Sequence, residues 1–400
     1  MVLDIKDIYR AQENIEGSIN KTILEKSNTF SKMCQGEIFL KYENQQRTGS
    51  FKIRGAYNKI VSLSEKNKQR GVIAASAGNH AQGVALAGAV AGIDVTIVMP
   101  LHAPLSKINA TKGYGAKVEL YGHCYDDAYF RACQIKEETK ATLIHAFDDY
   151  DIMAGQGVIG LEIIQKLPDV DMIVAPIGGG GLLSGIATAV KSLKPKVEII
   201  GVEAKDAASY MASKEAGQCV SLESVHTIAD GIAVKKPGKK NFDILNKYVD
   251  QVVTVDDEEI SNTILLLLER EKQLVEGSGA VSLAALLNHK VKVKHKKAAV
   301  LLTGGNIDMN FIHKIIEKGL VKAGRNTNIS VVVPDKPGVL HKLTHIIASQ
   351  GANILNVNHD RYDKNISLDT TIIQIRLETN DVEHGLTIKE LLKEKGYKVI

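Results

Sequence analysis

Only four cysteines, Cys34, Cys124, Cys133 and Cys219, stand among 400 residues, and no two of them share a C-x-x-C spacing. They are too sparse for a disulfide framework, so reduced thiols in a cytosolic protein are expected. Long apolar runs are missing too: none approaches the roughly 20 residues that a helix needs to cross a bilayer. The stretch Met1 to Glu13 mixes Asp, Lys and Arg with isolated apolar positions, which is not the pattern of a secretory leader. Charge of one sign is scarce: 50 Lys and Arg against 46 Asp and Glu leave a formal charge of +4. No basic stripe with interleaved aromatics occurs, so nucleic acid is not expected as a partner, and the cluster Lys290 to Lys297 reads as a solvated loop. Solenoid repeats and low-complexity segments are absent. These absences leave an ordinary globular composition, 44% apolar and 24% charged, with no membrane span and a cytoplasmic location expected. The length suggests two or three domains.

Strand-like apolar runs alternate with helical patterns over most of the chain, the mark of an α/β fold with largely parallel sheets. Expected strands are Val72–Ala75, Val95–Met99, Val118–Tyr121, Ile173–Pro176, Val197–Val202, Gln251–Val255 and Ala298–Thr303. Helices are expected at His80–Val90 and Leu182–Lys191, among others. The pattern changes at the polar link Gly324–Asn328. Beyond it the order is strand (Ile329–Val333), helix (Val339–Gln350), strand (Ile354–His359), strand (Thr370–Leu377), helix (Thr387–Lys395) and a short final strand. This βαββαβ order is a ferredoxin-like module suited to regulation or assembly, with a purely structural cap as the plainer reading. The expected domains are 1–322 and 328–400.

One lysine lies in an unusual setting. Lys52 sits between Phe51 and Ile53, with Gly49 and Gly55 on either side, shortly after the buried-strand pattern Glu37–Glu43 and at a helix start. A lysine in apolar company either snorkels to the surface or has its amine paired or used. Desolvation lowers an amine's pKa, which is what Schiff-base chemistry with an aldehyde cofactor needs.

Three small-residue turns follow expected strands. Ser76-Ala77-Gly78-Asn79-His80 opens a helix whose free N–H groups favour a carboxylate, and the Asn79 amide can bond an oxygen on a cofactor ring. The plainer reading is that Ser76 or Asn79 caps the helix. Gly178-Gly179-Gly180-Gly181-Leu182 costs backbone entropy and suits a phosphate at a helix N-terminus; a flexible hinge is the alternative. Leu183 breaks the dinucleotide fingerprint, and no Walker-type lysine is present. Thr303-Gly304-Gly305-Asn306 ends a third strand with a hydroxyl that can face a heteroaromatic nitrogen, although by itself it is a common strand-end turn. Together with Lys52, these turns fit a phosphate-bearing aldehyde better than a nucleotide.

Thr48-Gly49-Ser50-Phe51-Lys52, Ser76 to His80, the four glycines from Gly178, and Thr303 to Asn306 resemble the threonine dehydratases, fold-type II pyridoxal-phosphate enzymes of the tryptophan-synthase-β-like family. The likeness covers roughly residues 1–322. The C-terminal module, with Pro334-Asp335-Lys336-Pro337-Gly338, resembles an ACT domain, a regulatory unit that often binds amino acids. The resemblance implies pyridoxal 5'-phosphate joined to Lys52 as a Schiff base, with Lys52 then the base that takes the substrate α-proton. It also implies that Asn79 bonds the ring hydroxyl, Gly178 to Leu182 hold the phosphate and Thr303 faces the pyridine nitrogen. Ser76, Ala77, Gly78, Asn79 and His80 would receive the substrate carboxylate. The implied reaction turns L-threonine into 2-oxobutanoate and ammonia, with L-serine as a further substrate. Serine dehydratase or serine racemase is the neighbouring activity; an inactive amino-acid sensor is the reading from another class. Ala77 stands where racemases carry a second acid–base serine. Glu203 matches a cation ligand of those relatives, but Ser209 replaces the aspartate, so no metal is expected. A small-molecule effector is expected near Gly338, at an interface of a homo-oligomer.

Overall fold

The seven apolar runs expected as strands before residue 304 all form strands, with ends within two residues of expectation. In chain order the strands are β1 (Leu24–Lys26), β2 (Glu37–Tyr42), β3 (Val72–Ala75), β4 (Val95–Met99), β5 (Lys117–Leu120) and β6 (Thr142–Leu143). They continue with β7 (Met172–Pro176), β8 (Glu198–Ala204), β9 (Gln251–Val255) and β10 (Lys297–Leu302). The computed structural model describes residues 2–400 and divides into a first unit ending at Ile307 and a second spanning Asp308–Ile400.

Two sheets build the first unit. One has the order β1-β2-β10-β7-β8-β9, antiparallel only between β1 and β2; the other is the parallel sheet β5-β4-β3-β6. Every residue of β3 and β7 is buried, as expected for parallel strands covered by helices on both faces. In such sheets ligands gather at the carboxyl ends of strands. All three small-residue turns lie there, after β3, β7 and β10, and the chain from β2 leads to Lys52.

Lys52 begins the helix Lys52–Val61, which is wedged against the helix Tyr150–Lys166. The crossing needs glycine on both sides. A Cβ on Gly55 would stand 2.6 Å from Ile152 O, and one on Gly155 would stand 2.6 Å from Arg54 O. Beside this crossing, four ionised side chains are buried together. Arg54 Nε meets Glu43 Oε2 at 2.8 Å and its Nη1 meets Glu162 Oε1 at 2.8 Å, while Lys41 Nζ meets Glu162 Oε2 at 2.5 Å. Two charges of each sign make the quartet neutral. Geometry this complete is what lets buried ions offset their desolvation. The quartet ties the first turn of Lys52's helix to β2 and to the neighbouring long helix.

The second unit adds β11 (Asn326–Pro334), β12 (Asn353–Asp360), β13 (Thr370–Glu378) and β14 (Lys398–Val399) in the order β12-β13-β11-β14, all antiparallel. Helices Val339–Ser349 and Val382–Glu394 bury Leu343, Ile347, Ile388 and Leu392 against Ile329, Val331, Ile375 and Leu377. This is the expected βαββαβ order. Its last helix starts five residues early because Asp381 caps it, its carboxylate accepting from His384 N–H at 2.8 Å. The helix Met309–Lys322, which the sequence reading assigned to the first domain, groups with the second unit. No helix among the described residues is long and apolar enough to cross a membrane.

Candidate active site

Lys52 is half-buried, and its Nζ donates to Ala146 O at 3.1 Å. Burial pulls the amine down from 10.5 to about 8, although Glu276 pulls the other way. His80 adds no charge beside it: burial first, then Lys52, push the imidazole down to about 3. The His80 Nε2 lies 2.9 Å from Ile144 O, and since a carbonyl only accepts, that nitrogen carries the hydrogen. The buried His80 ring is therefore committed to the protein. Its backbone N–H, with those of Ala77 and Asn79, donates to no backbone carbonyl among the described residues. Gly78 N–H turns back to Ser76 Oγ at 3.2 Å.

The turn that faces Lys52 is organised by His145. Its Nδ1 accepts from the N–H groups of Phe147 at 3.2 Å and Asp148 at 2.9 Å, and burial lowers its pKa. Phe147 in turn explains two of the glycines. A Cβ on Gly179 would stand 2.3 Å from the Phe147 ring, and one on Gly181 would stand 2.8 Å from Phe147 O. Gly180 is the N-cap of the helix Gly181–Leu193 at φ +95°, a backbone that only glycine adopts readily. No backbone carbonyl among the described residues accepts from the N–H groups of Gly178, Gly179, Gly180, Gly181 or Leu182. Five free donors in a mostly buried helix start form a ready anion site.

Asn79 is held on both sides of its amide. Nδ2 donates to Glu276 Oε1 at 2.6 Å, and Oδ1 accepts from Asn306 Nδ2 at 2.8 Å. One Nδ2 hydrogen remains for a further acceptor. Buried Thr303 donates through Oγ1 to Ser278 O at a long 3.2 Å, and Thr303 O accepts from Phe51 N–H at 3.2 Å. The strand end with the hydroxyl is thus bonded to the residue before Lys52.

Sequence reasoning missed Glu276. Burial, followed by the charge of Asp230, raises its carboxyl from 4.5 to about 7, while Ser278 Oγ donates to it at 2.8 Å. The available signal was Glu276-Gly277-Ser278-Gly279, an acid before small residues at a helix start. Glu203 lies elsewhere. Its carboxylate accepts from the N–H groups of Tyr210 at 2.8 Å and Met211 at 2.9 Å, and burial raises its pKa to about 7. Ser209 Oγ nearby is buried without a partner. Among the described residues no three His, Cys, Asp or Glu side chains are grouped to hold a metal ion. Gly338 belongs to the second unit, where it caps the helix Val339–Ser349 at φ +86° and lines a cavity of about 370 Å³.

A lowered amine, a run of free amide donors and an oriented amide fit an aldehyde that carries a phosphate on an aromatic ring. Residues 15–304 match the family model described as pyridoxal-phosphate dependent enzyme. The chain belongs to that family. Residues 327–394 match the ACT domain. An L-threonine ammonia-lyase of Thermotoga maritima is 50% identical over 398 residues, covering 100% of this chain and 99% of the relative. Among solved structures, the processed form of threonine deaminase isoform 2 from Solanum lycopersicum aligns with a TM-score of 0.74 and 37% identity, over 79% of this chain and 89% of that one. Maize serine racemase aligns with a TM-score of 0.76 and 35% identity, over 80% and 99%. The cofactor of this family is pyridoxal phosphate, and the first unit is its fold-type II catalytic body.

Proposed function

We propose that this chain is an L-threonine ammonia-lyase that releases 2-oxobutanoate and ammonia, with Lys52 as the cofactor's anchor and the catalytic base. The observation that carries the reading is Lys52 itself: an amine lowered to about 8 at the end of the path from β2, in a chain 50% identical over its whole length to an L-threonine ammonia-lyase. Bound pyridoxal phosphate supplies an electron sink that makes the substrate's α-proton acidic. Lys52 Nζ, part neutral near pH 8, would anchor the cofactor through its aldehyde and, once displaced from it by the substrate's amine, would be the free base for the α-proton. Gly178 to Leu182 offer their free N–H groups to the phosphate. Asn79 presents its remaining Nδ2 hydrogen to the ring oxygen, with Glu276 and Asn306 fixing the amide plane. The Thr303 hydroxyl, which makes only a long bond to Ser278 O, would face the ring nitrogen. The free N–H groups of Ala77, Asn79 and His80 would bind the substrate carboxylate.

The likeness to maize serine racemase favours a second reading, racemisation of serine. Ala77 counts against it, because a methyl cannot deliver a proton to the opposite face. Purified protein loaded with pyridoxal phosphate should turn over L-threonine and, more slowly, L-serine, without forming D-serine. Absence of 2-oxobutanoate from L-threonine would overturn the assignment, and D-serine would establish the second reading.

The second unit is read as the regulatory part of a cytoplasmic homo-oligomer. Its cavity is lined by Asp335, Lys336, Gly338, His359 and Arg361, which carry both signs of charge and suit a small zwitterion. Arg361 Nε is paired with Asp335 Oδ2 at 2.7 Å, and His359 Nδ1 is buried without a partner. Titrating activity with isoleucine, valine and AMP tests this. Removing residues 328–400 should abolish the response while leaving activity, and an unchanged response would contradict it.

A further inference from the structure

Asn241 lies in the first turn of the helix Lys239–Tyr248 and is completely buried. Its Nδ2 donates to Gly179 O at 2.9 Å and to Phe147 O at 3.1 Å, so both amide hydrogens are used on carbonyls of two different loops. Gly179 O takes a second bond, from Gly238 N–H at 3.0 Å. Asn241's own carbonyl accepts from Ser184 Oγ, at 3.5 Å, in the first turn of the helix that the glycine loop caps. Its Oδ1 has no partner. A buried amide with an idle acceptor is a costly packing residue, so its donors are what the site needs.

The geometry of the peptide unit gives those donors a consequence. Across a trans peptide the C=O of one residue and the N–H of the next point in opposite directions. Pinning Gly179 O toward Asn241 therefore turns Gly180 N–H away from it, into the set of free donors. Pinning Phe147 O steadies the turn whose preceding carbonyl, Ala146 O, accepts from Lys52 Nζ. A single side chain thus spans the loop for one end of the cofactor and the turn beside the lysine for the other.

We infer that Asn241 is a positioning residue for the cofactor: it sets the direction of the Gly180 N–H and the spacing between the glycine loop and the Ala146–Phe147 turn. The inference rests on the cofactor reading above. Among the described residues no hydrogen bond joins Asn241 to Lys52 or to a free N–H of the loop, so it acts through the carbonyls of Gly179 and Phe147.

The test uses holoenzyme of the parent and of Asn241→Leu, which matches the shape without donors, and Asn241→Ser, which keeps one donor. The readouts are loss of bound pyridoxal phosphate during dialysis, followed by visible absorbance, and the ³¹P resonance of the bound phosphate. The Leu variant should lose cofactor at least about tenfold faster and the Ser variant about threefold faster, each with a shifted resonance. With cofactor saturating, kcat should stay within about twofold of the parent. Should the Leu protein not fold, the Ser protein decides alone. Loss rates within about twofold of the parent in the variants that fold, with an unmoved resonance, overturn the inference. So does an equal fall in thermal midpoint with and without cofactor, unaccompanied by faster loss, which marks a structural role. A parent that binds no pyridoxal phosphate overturns instead the reading on which the inference rests.

Discussion

Two helices in this chain begin in the same way and in opposite company. Gly180 and Gly338 are both N-caps with φ near +90°, at +95° and +86°, and each follows a strand and a short turn. A Cβ on Gly180 would stand 2.8 Å from the Cβ of Asn241, whereas a Cβ on Gly338 would meet nothing within 4 Å. The first is sealed by Asn241, Leu245 and Phe147; the second opens on a cavity. One backbone device thus stands in two different settings. Rigid surroundings suit a group that stays through every turnover, because donors fixed in advance need no ordering on binding. Open surroundings suit a ligand that must come and go.

The largest effect expected is at Lys52, the proposed anchor of the cofactor. Lys52→Ala should lose the visible band of the bound cofactor and at least about a thousandfold in ammonia release, measured by spectroscopy and a coupled assay. Gly179→Ala comes next. Its Cβ would press into the Phe147 ring at 2.3 Å, and overpacking of this kind costs about 1–3 kcal/mol, or about fivefold to a hundredfold in cofactor affinity. A titration showing parent-like affinity would mean that the sealed loop yields as readily as the open one.

The pH dependence of reloading sharpens the comparison further. In the proposed role only the neutral Lys52 amine would react with the aldehyde, so with its value at about 8 the reloading rate of stripped protein should rise about tenfold between pH 7 and 9. Glu276 stabilises the ammonium; Glu276→Gln should therefore move that rise to lower pH, and an unmoved profile would separate the two groups. Stability carries a sign of its own. Because the folded carboxyl of Glu276 is raised from 4.5 to about 7, its stabilising contribution is complete below 4.5 and fades as pH climbs through 7. Melting of the stripped protein should decline from pH 5 to 8 by more in the parent than in Glu276→Gln. The smallest effect is expected at the open start. Gly338→Ala meets only the left-handed backbone penalty, about 1–2 kcal/mol, and should leave cofactor affinity untouched while weakening any effector response.

What was legible in the sequence was what is local. Strand runs, the three small-residue turns and the lysine between apolar neighbours each lie within a few residues, so their places at strand ends and a helix start could be read directly. The βαββαβ order was legible for the same reason. What stayed hidden depends on distant partners. Asn79 meets Glu276 across 197 positions, and Asn241 meets Gly179 across 62 and Phe147 across 94. An isolated Glu or Asn on a helix carries no sign of such a partner. His80 shows the converse: its place in the small-residue turn after β3 was plain, but its ring's commitment to Ile144 O, 64 positions away, was not.

The quartet of Lys41, Glu43, Arg54 and Glu162 has a bearing on how such a chain can vary. Removing any one member strands an ion of opposite sign where water cannot reach it. A single substitution there should be severe, while exchange of a whole oppositely charged pair for apolar side chains of similar volume can be nearly neutral. These positions are therefore constrained jointly, and drift at them has to proceed in coupled steps, with the intermediate sequences as the barrier.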